Sequence, residues 1–271
     1  MSTGTISIGL DPFIDIGPLH LSWHGLMIAV GLMVGGALAA RRAAASGLDP
    51  DRVWVLVGVM AVTGMVGARL VFLAENEPAD LVAPAAWFGT RGYAFYGGLI
   101  GGGASAAVLL WRWGLSGAYL DALAYGFPLG MALGRIGDVI NGEHFGPATD
   151  APWGVRYTHP DAEVPTSTLA YHAGGLYEVV LALAIFAFVM LVGRRLKATG
   201  ALLWSVVGLY AAGRFVMFFY RDDSDALAAG LTGAQWISVA LVIATGVGLG
   251  LTTRQRATDP NVRGTVVGSR P

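Results

Sequence analysis

Three arginines lie inside apolar segments of this sequence, where a charged side chain needs a specific reason to be. Arg69, Arg135 and Arg214 each fall in a mostly apolar stretch long enough to cross a bilayer. Burying one arginine at mid-bilayer costs roughly 2.5–3.5 kcal/mol, so these side chains should face a polar cavity, a counter-ion or an anionic ligand. A guanidinium offers permanent charge and a planar donor fork that suits a phosphate. For Arg69, near the end of its segment, a structural ion pair or snorkelling explains the residue equally well.

The densest polar cluster begins at the second of these arginines. Residues 134–146 read GRIGDVINGEHFG, so Asp138, Asn141 and Glu143 follow Arg135 within a few residues. On a helix Arg135 and Asp138 are three positions apart and share one face. This cluster is therefore the leading candidate for a site that binds a charged group.

Seven apolar segments must position these residues. The 271 residues are 55% hydrophobic and 13% charged, with a mean hydropathy of +0.60, a balance typical of a membrane protein. A hydrocarbon core about 30 Å thick requires about 20 residues, and the segments that fit are 22–41, 53–74, 93–111, 118–140, 174–193, 200–220 and 233–253. We expect an all-α polytopic membrane protein with about seven transmembrane helices. Residues 1–253 would form one domain and 254–271 a disordered tail.

The distribution of basic residues predicts the orientation. Alternate connections carry eleven of the 17 Lys and Arg residues, and the opposite connections carry three and most of the acids. By the positive-inside rule the N-terminus lies outside and the C-terminus in the cytoplasm. Two external connections are long. We expect 75–92, with Trp87 and Phe88, to lie along the membrane surface, and 141–173 to form a small external head.

Composition also excludes several classes of function. The chain has no cysteine, which excludes a thiol nucleophile, a disulfide framework and a thiolate metal site within it. Its formal net charge of −1 opposes nucleic acid as a partner, because phosphate binding of that kind needs a basic surface. The sequence predicts no metal and no cofactor.

The cluster that begins at Gly134 resembles the signature of the prolipoprotein diacylglyceryl transferases. That signature is Gly-Arg-x-Gly-Asn-Phe-x-Asn-x-Glu-x-x-Gly, and here Asp138 and Val139 replace its Asn and Phe. Five further segments resemble family motifs in the same order: 16–27, 67–70, 95–101, 172–178 and 210–222. The resemblance therefore extends over most of the chain.

The resemblance implies an inner-membrane, multi-pass enzyme of lipoprotein biosynthesis. Such an enzyme transfers the diacylglyceryl group of phosphatidylglycerol to the lipobox cysteine of a preprolipoprotein signal peptide and releases glycerol 1-phosphate. Its partners would be the lipid bilayer, phosphatidylglycerol and the preprolipoproteins. The implied catalytic residues are His24, Tyr96, Arg135, Tyr210 and Arg214. The implied phosphatidylglycerol-binding residues are Arg69, Gly97, Gly98, Arg135, Asp138, Asn141 and Glu143.

Several polar positions depart from the family pattern. His24 stands where the family has Tyr, and Tyr96 stands where it has His. One hypothesis is that the two residues have exchanged roles, with His24 handling the proton and Tyr96 as its hydrogen-bond partner; the other is that the site has drifted. Phe218 replaces a family glutamate one turn after Arg214, and Asp138 could restore that negative charge.

Two other functions stay open at this point. The chain could be a divergent paralogue that binds an anionic phospholipid without this reaction, or that modifies another lipid or acceptor. It could also be a small-solute transporter, although no inverted repeat or pair of broken helices supports that class.

Overall fold

The structure is a computed structural model that describes residues 5–17, 19–88, 92–115, 117–222 and 224–258. The side chains at 19, 95, 96 and 255–258 lie outside this description. The predicted role of the Tyr96 side chain therefore stays a prediction.

Seven helices occupy the seven segments predicted from hydropathy. They are α1 Trp23–Ala45, α2 Pro50–Asn76, α3 Phe95–Arg112, α4 Ala118–Asn141, α5 Gly174–Val192, α6 Ala201–Met217 and α7 Gly233–Thr258. Each helix begins within three residues of its predicted start. Helix α7 continues beyond residue 254, where the tail was expected to begin, and residues 259–271 lie outside the described chain.

Five helical stretches of the described chain are long and apolar enough to cross a membrane. They are Trp23–Ala45, Pro50–Asn76, Gly174–Arg195, Ala201–Tyr220 and Gly233–Arg254. Helix α3 is rich in glycine and α4 contains Arg135 and Asp138, and both fall outside this set. The chain is thus a mostly helical membrane protein with at least these five candidate spans.

The expectation of an all-α chain misses eight short strands in the described residues. They are β1 Ile6–Ile8, β2 Phe13–Ile16, β3 Leu19–Ser22, β4 Phe145–Ala148, β5 Val155–Tyr157, β6 Ala170–Ala173, β7 Ala226–Ala228 and β8 Leu231–Thr232. Strands β1, β5, β6 and β4 form one sheet in that order, with β1 parallel to β5 and the other two pairs antiparallel. The connection between α4 and α5 is therefore folded around a small core of Val155, Tyr157 and Ala173.

The chain divides into two compact units, Met1–Ala39 with Leu120–Pro271, and Ala40–Tyr119. In the second unit α2 and α3 pack through glycines, because a Cβ at Gly97 would overlap the carbonyl of Gly67. Gly98 faces Gly64 and Ala68 across the same contact. The hydroxyls of Thr63 and Ser105 add a 2.8 Å hydrogen bond between the two helices.

Arg69 has a structural role within this second unit. Its Nε and Nη1 each donate at 2.8 Å, to the carbonyls of Ala86 and Gly92 respectively. These bonds tie α2 to the connection that follows it, which contains the short 3₁₀ helices Pro78–Val82 and Pro84–Phe88. The contribution of Arg69 to lipid binding stays a prediction.

In the first unit, glycines bring the start of α1 against the end of α4. A Cβ at Gly137 would lie 2.5 Å from the Cα of His24 and 2.9 Å from the carbonyl oxygen of Trp23. Across α4, a Cβ at Gly175 of α5 would lie 3.0 Å from the Cβ of Asp138. The approach at Gly137 leaves no room for a side chain and the one at Gly175 is tight, and together they place three helix ends around the predicted polar cluster.

Candidate active site

His24 and Asp138 form the first contact of the cluster. The Nδ1 of His24 lies 2.5 Å from Oδ1 of Asp138 and 3.2 Å from Oε2 of Glu143. The other oxygen of Asp138 accepts a hydrogen bond from Nη1 of Arg135, as their shared helical face predicts. Asp138 is buried, with 1% of its side chain exposed, whereas the His24 side chain is 35% exposed. The site therefore contains a partly accessible His24 ring that is hydrogen-bonded to a buried carboxylate.

A left-handed turn after α4 directs Glu143 toward this ring. Gly142 and His144 have φ values of 78° and 61°, and the amides of Gly142 and Glu143 both donate to the carbonyl of Asp138, at 3.0 and 3.1 Å. These bonds satisfy a carbonyl at the helix end that would otherwise lack a partner. The turn lies between the end of α4 at Asn141 and the start of β4 at Phe145.

Glu143 is held as a carboxylate in this turn. Burial alone would raise the pKa of Glu143, but the hydrogen bond that it accepts from His24 and its other interactions with His24 and Asn141 together lower it by more, and the net pKa lies below the ordinary value. Nδ2 of Asn141 donates to its other oxygen at 2.8 Å. The Oδ1 of Asn141 is buried and accepts no hydrogen bond from any described residue.

Three guanidiniums converge on one buried carboxylate, that of Glu178 in the first turns of α5. Nε of Arg135 lies 2.5 Å from Oε2, while Nη1 of Arg214 and Nη1 of Arg221 lie 3.1 and 3.5 Å from Oε1. Only 1% of the Glu178 side chain is exposed. This carboxylate therefore acts as the shared counter-ion that holds the three arginines together.

Aromatic rings and a histidine complete the surroundings of the arginines. The hydroxyl of Tyr210 accepts a 2.9 Å hydrogen bond from Nη1 of Arg214. The ring of Phe218 lies 4.9 Å from the Arg214 guanidinium and 4.4 Å from that of Arg221, distances typical of cation–π contacts. Nη2 of Arg221 bonds Nδ1 of His144 at 2.8 Å.

The contacts do not support the hypothesis that Asp138 restores the negative charge of the missing family glutamate. Arg214, which lies one turn before Phe218, is paired with Glu178. Asp138 bonds Arg135 and His24 instead. The negative charge beside Arg214 thus comes from another helix, α5.

The structure brings seven of the predicted site residues into one connected cluster of the first unit: His24, Arg135, Asp138, Asn141, Glu143, Tyr210 and Arg214. Arg69, Gly97 and Gly98 belong to the second unit. The described partners of His24 are Asp138 and Glu143, so its predicted pairing with Tyr96 stays untested.

Sequence reasoning missed Glu178, Arg221 and His144 as members of the cluster. Glu178 carried a usable signal, because an acid in the first turns of an apolar helix is as costly in a membrane as the arginines that were singled out. The partners that offset this cost come from α4, α6 and the segment after α6.

Three side chains of the cluster have the spacing of a cation site, but a neighbouring positive charge opposes a cation there. Ligand atoms of His24, Asp138 and Glu143 lie within 4.8 Å of one another. The Arg135 guanidinium bonded to Asp138 adds positive charge at the same point and opposes a metal ion there. We assign no metal to these residues.

Comparison with known proteins places the chain in a family. A family profile described as prolipoprotein diacylglyceryl transferase matches residues 12–251. The phosphatidylglycerol–prolipoprotein diacylglyceryl transferase of Bordetella bronchiseptica is 34% identical over 261 residues, which cover 90% of this chain and 95% of the relative. The enzyme of the same name from Geobacter sulfurreducens is 32% identical over 231 residues, which cover 80% and 85%. The chain therefore belongs to the prolipoprotein diacylglyceryl transferase family and is a multi-pass membrane transferase.

Proposed function

We propose that this chain transfers the diacylglyceryl group of phosphatidylglycerol to the lipobox cysteine thiol of preprolipoproteins, the first step of lipoprotein modification, in the cell inner membrane. The observation that carries the proposal is the convergence of Arg135, Arg214 and Arg221 on the buried Glu178. Such an array is suited to a lipid phosphate. The names of the relatives support the same substrate pair.

The proposed reaction explains why fixed positive charge is needed. The substrate sulfur forms a bond to the terminal glyceryl carbon while the bond from that carbon to the phosphate oxygen breaks. The electron pair leaves with that oxygen, so the phosphate gains negative charge in the transition state, and the thiol proton is balanced by protonation of the released glycerol phosphate. Preorganised guanidiniums stabilise this charge more in the transition state than in the ground state.

Other predicted residues have supporting roles in this proposal. Arg135 and Arg214 contact the phosphate, while Tyr210 holds Arg214 and Glu143 holds His24. The buried Oδ1 of Asn141 accepts a hydrogen bond from a hydroxyl of the lipid headgroup. The nucleophile belongs to the substrate, so the absence of cysteine from the chain presents no obstacle.

The proposal includes a seven-span topology with the N-terminus outside, in which residues 1–253 form one membrane domain. Helices α3 and α4 would be the two further spans. The start of α1, the end of α4 and the start of α5 then lie at the external face. Those ends carry His24, Asp138 and Glu178.

A second candidate function follows from the departures at residues 24 and 96. A divergent paralogue would bind an anionic phospholipid through the same arginines without the transfer reaction, or would modify another lipid or acceptor. The two functions share the phosphate site and differ in turnover.

The test is complementation of bacteria depleted of their own diacylglyceryl transferase. Expression of this chain should restore growth and the lipidation of a reporter lipoprotein, measured by mass spectrometry of its N-terminal peptide. Chains with Arg135→Gln or Arg214→Gln, present in the membrane in equal amounts, serve as controls and should not complement. A native chain that inserts and binds phosphatidylglycerol without restoring lipidation would reject the transferase proposal in favour of the paralogue.

A further inference from the structure

His24 directs one ring nitrogen toward two carboxylates, and its side chain is 35% exposed. Nδ1 lies 2.5 Å from Asp138 and 3.2 Å from Glu143, and no described residue bonds Nε2. A carboxylate only accepts, so Nδ1 must carry a proton. Behind the pair, Arg135 bonds Asp138, and His144 Nε2 lies 3.9 Å from the same carboxylate.

The charge of the cluster depends on this ring. Arg135, Arg214 and Arg221 are balanced by three carboxylates, those of Asp138, Glu143 and Glu178. With a neutral His24 these residues have no net charge, and a bound phosphodiester would bring an uncompensated negative charge into a partly buried site. With a charged His24 the residues carry one positive charge, which matches one phosphodiester.

Two departures from the family pattern meet in this contact. The family has Tyr at position 24 and Asn at position 138, two neutral residues, whereas this chain has a histidine and an aspartate whose atoms lie 2.5 Å apart. Asp138 would keep Arg135 as a counter-ion beside a Tyr, but an Asn at position 138 would leave His24 with Glu143 alone. The histidine and the aspartate therefore support each other in this contact.

We propose that His24 is held as an imidazolium by Asp138 and Glu143, and that its Nε2–H is a further positive donor to the lipid phosphate, beside Arg135 and Arg214. This rests on the proposed function, because the ligand it names is the phosphate of phosphatidylglycerol. His24 keeps its proton and forms a charge-assisted hydrogen bond, and no covalent step passes through it. The role differs from the hypothesis that His24 is the base, since a base must begin the reaction unprotonated.

The protonation state can be measured directly by nitrogen-15 NMR on protein with labelled histidine rings. The chain contains five histidines, and the His24 signals are those that disappear in His24→Phe. At neutral pH both nitrogens of His24 should be protonated, and the double substitution Asp138→Asn with Glu143→Gln should convert the ring to the neutral form. A neutral His24 in the native chain would overturn the proposal.

Lipid binding supplies a second measurement that does not depend on turnover. Competition between phosphatidylglycerol and diacylglycerol, which lacks the phosphate, for the purified chain should show about tenfold weaker preference for phosphatidylglycerol in His24→Phe, the loss of about one charge-assisted hydrogen bond. His24→Lys, which keeps a positive donor, should retain most of the preference. His20→Phe is the matched control, because His20 forms a similar 2.6 Å pair with Asp15 but both side chains are exposed.

The outcomes separate this inference from the proposed function. Normal lipid preference in His24→Phe, or equal losses in His24→Phe and His24→Lys, would overturn the role of His24 as a positive donor even if the chain is an active transferase. Conversely, a native chain that prefers phosphatidylglycerol through His24 but transfers nothing would reject the proposed function and leave this inference in place.

Discussion

At the scale of single residues, the site is a network of shared counter-ions rather than a set of independent pairs. Asp138 serves both Arg135 and His24, and Glu178 serves Arg135, Arg214 and Arg221. The spacing along α4 was enough to predict that Arg135 and Asp138 meet, because both lie on one helix. The choice of Glu178 as the common partner of the three arginines depends on packing between segments distant in sequence, which no local pattern contains.

The shared role of Glu178 predicts an order of stability among variants. Glu178→Gln leaves three guanidiniums without this buried counter-ion, and should lower the free energy of unfolding by about 3 kcal/mol or more. Arg135→Gln leaves Glu178 with Arg214 and Arg221 and should cost less. Thermal unfolding of the purified proteins in one detergent would measure both, with the exposed Asp15→Asn as a neutral control. The reverse order would mean that Glu178 is not the shared counter-ion.

At the scale of secondary-structure elements, the helices were predictable from the sequence and the strands were not. A run of about 20 apolar residues is a local property, so every predicted segment contains a helix near its expected bounds. Strand β1 exists only because Ile6 pairs with Val155. Strands of three or four residues in a segment rich in Pro and Gly have no periodicity that would reveal such a partner.

Gly137 offers a test of how α1 and α4 position the site. Gly137→Ala would force its Cβ to within 2.5 Å of the His24 Cα, so the helix ends must separate and both stability and lipid transfer should fall. Gly134→Ala is the matched control one turn earlier, because its Cβ would meet Ile28 at an ordinary 3.7 Å. We expect at least a tenfold difference in transfer rate between the two variants, measured on phosphatidylglycerol and a lipobox peptide. Similar rates would show that the close approach at Gly137 does not position His24.

At the scale of the whole molecule, hydropathy and the distribution of basic residues give different predictions of whether α3 and α4 span the membrane. Neither helix is apolar enough by composition to be identified as a span, whereas the alternation of basic residues predicts that both cross. Arg135 and Asp138, two of the charged residues that lower the hydropathy of α4, belong to the ionic cluster, where both are paired. Pairing removes the main cost of placing this helix in a bilayer, so low hydropathy alone does not exclude α4 as a span.

Reporter fusions can decide between seven spans and five. With seven spans, reporters after Ser46, Gly114 and Ala198 should be cytoplasmic, and those after Val82 and Asp161 external; Asp161 is chosen because it is exposed and lies outside the strands. If α3 and α4 do not cross, the positions after Ser46, Val82, Asp161 and Ala198 keep the same sides, and only the reporter after Gly114 moves to the exterior. That fusion is therefore the decisive one.

A cytoplasmic signal from the reporter after Gly114 requires α3 to cross inward from Val82 and α4 to cross outward to Asp161. The end of α4, with Asp138, then lies at the external face. An external signal would mean that α3 and α4 do not cross the membrane. Arg135 would then lie outside the hydrocarbon core, and the bilayer would not require its charge to be paired.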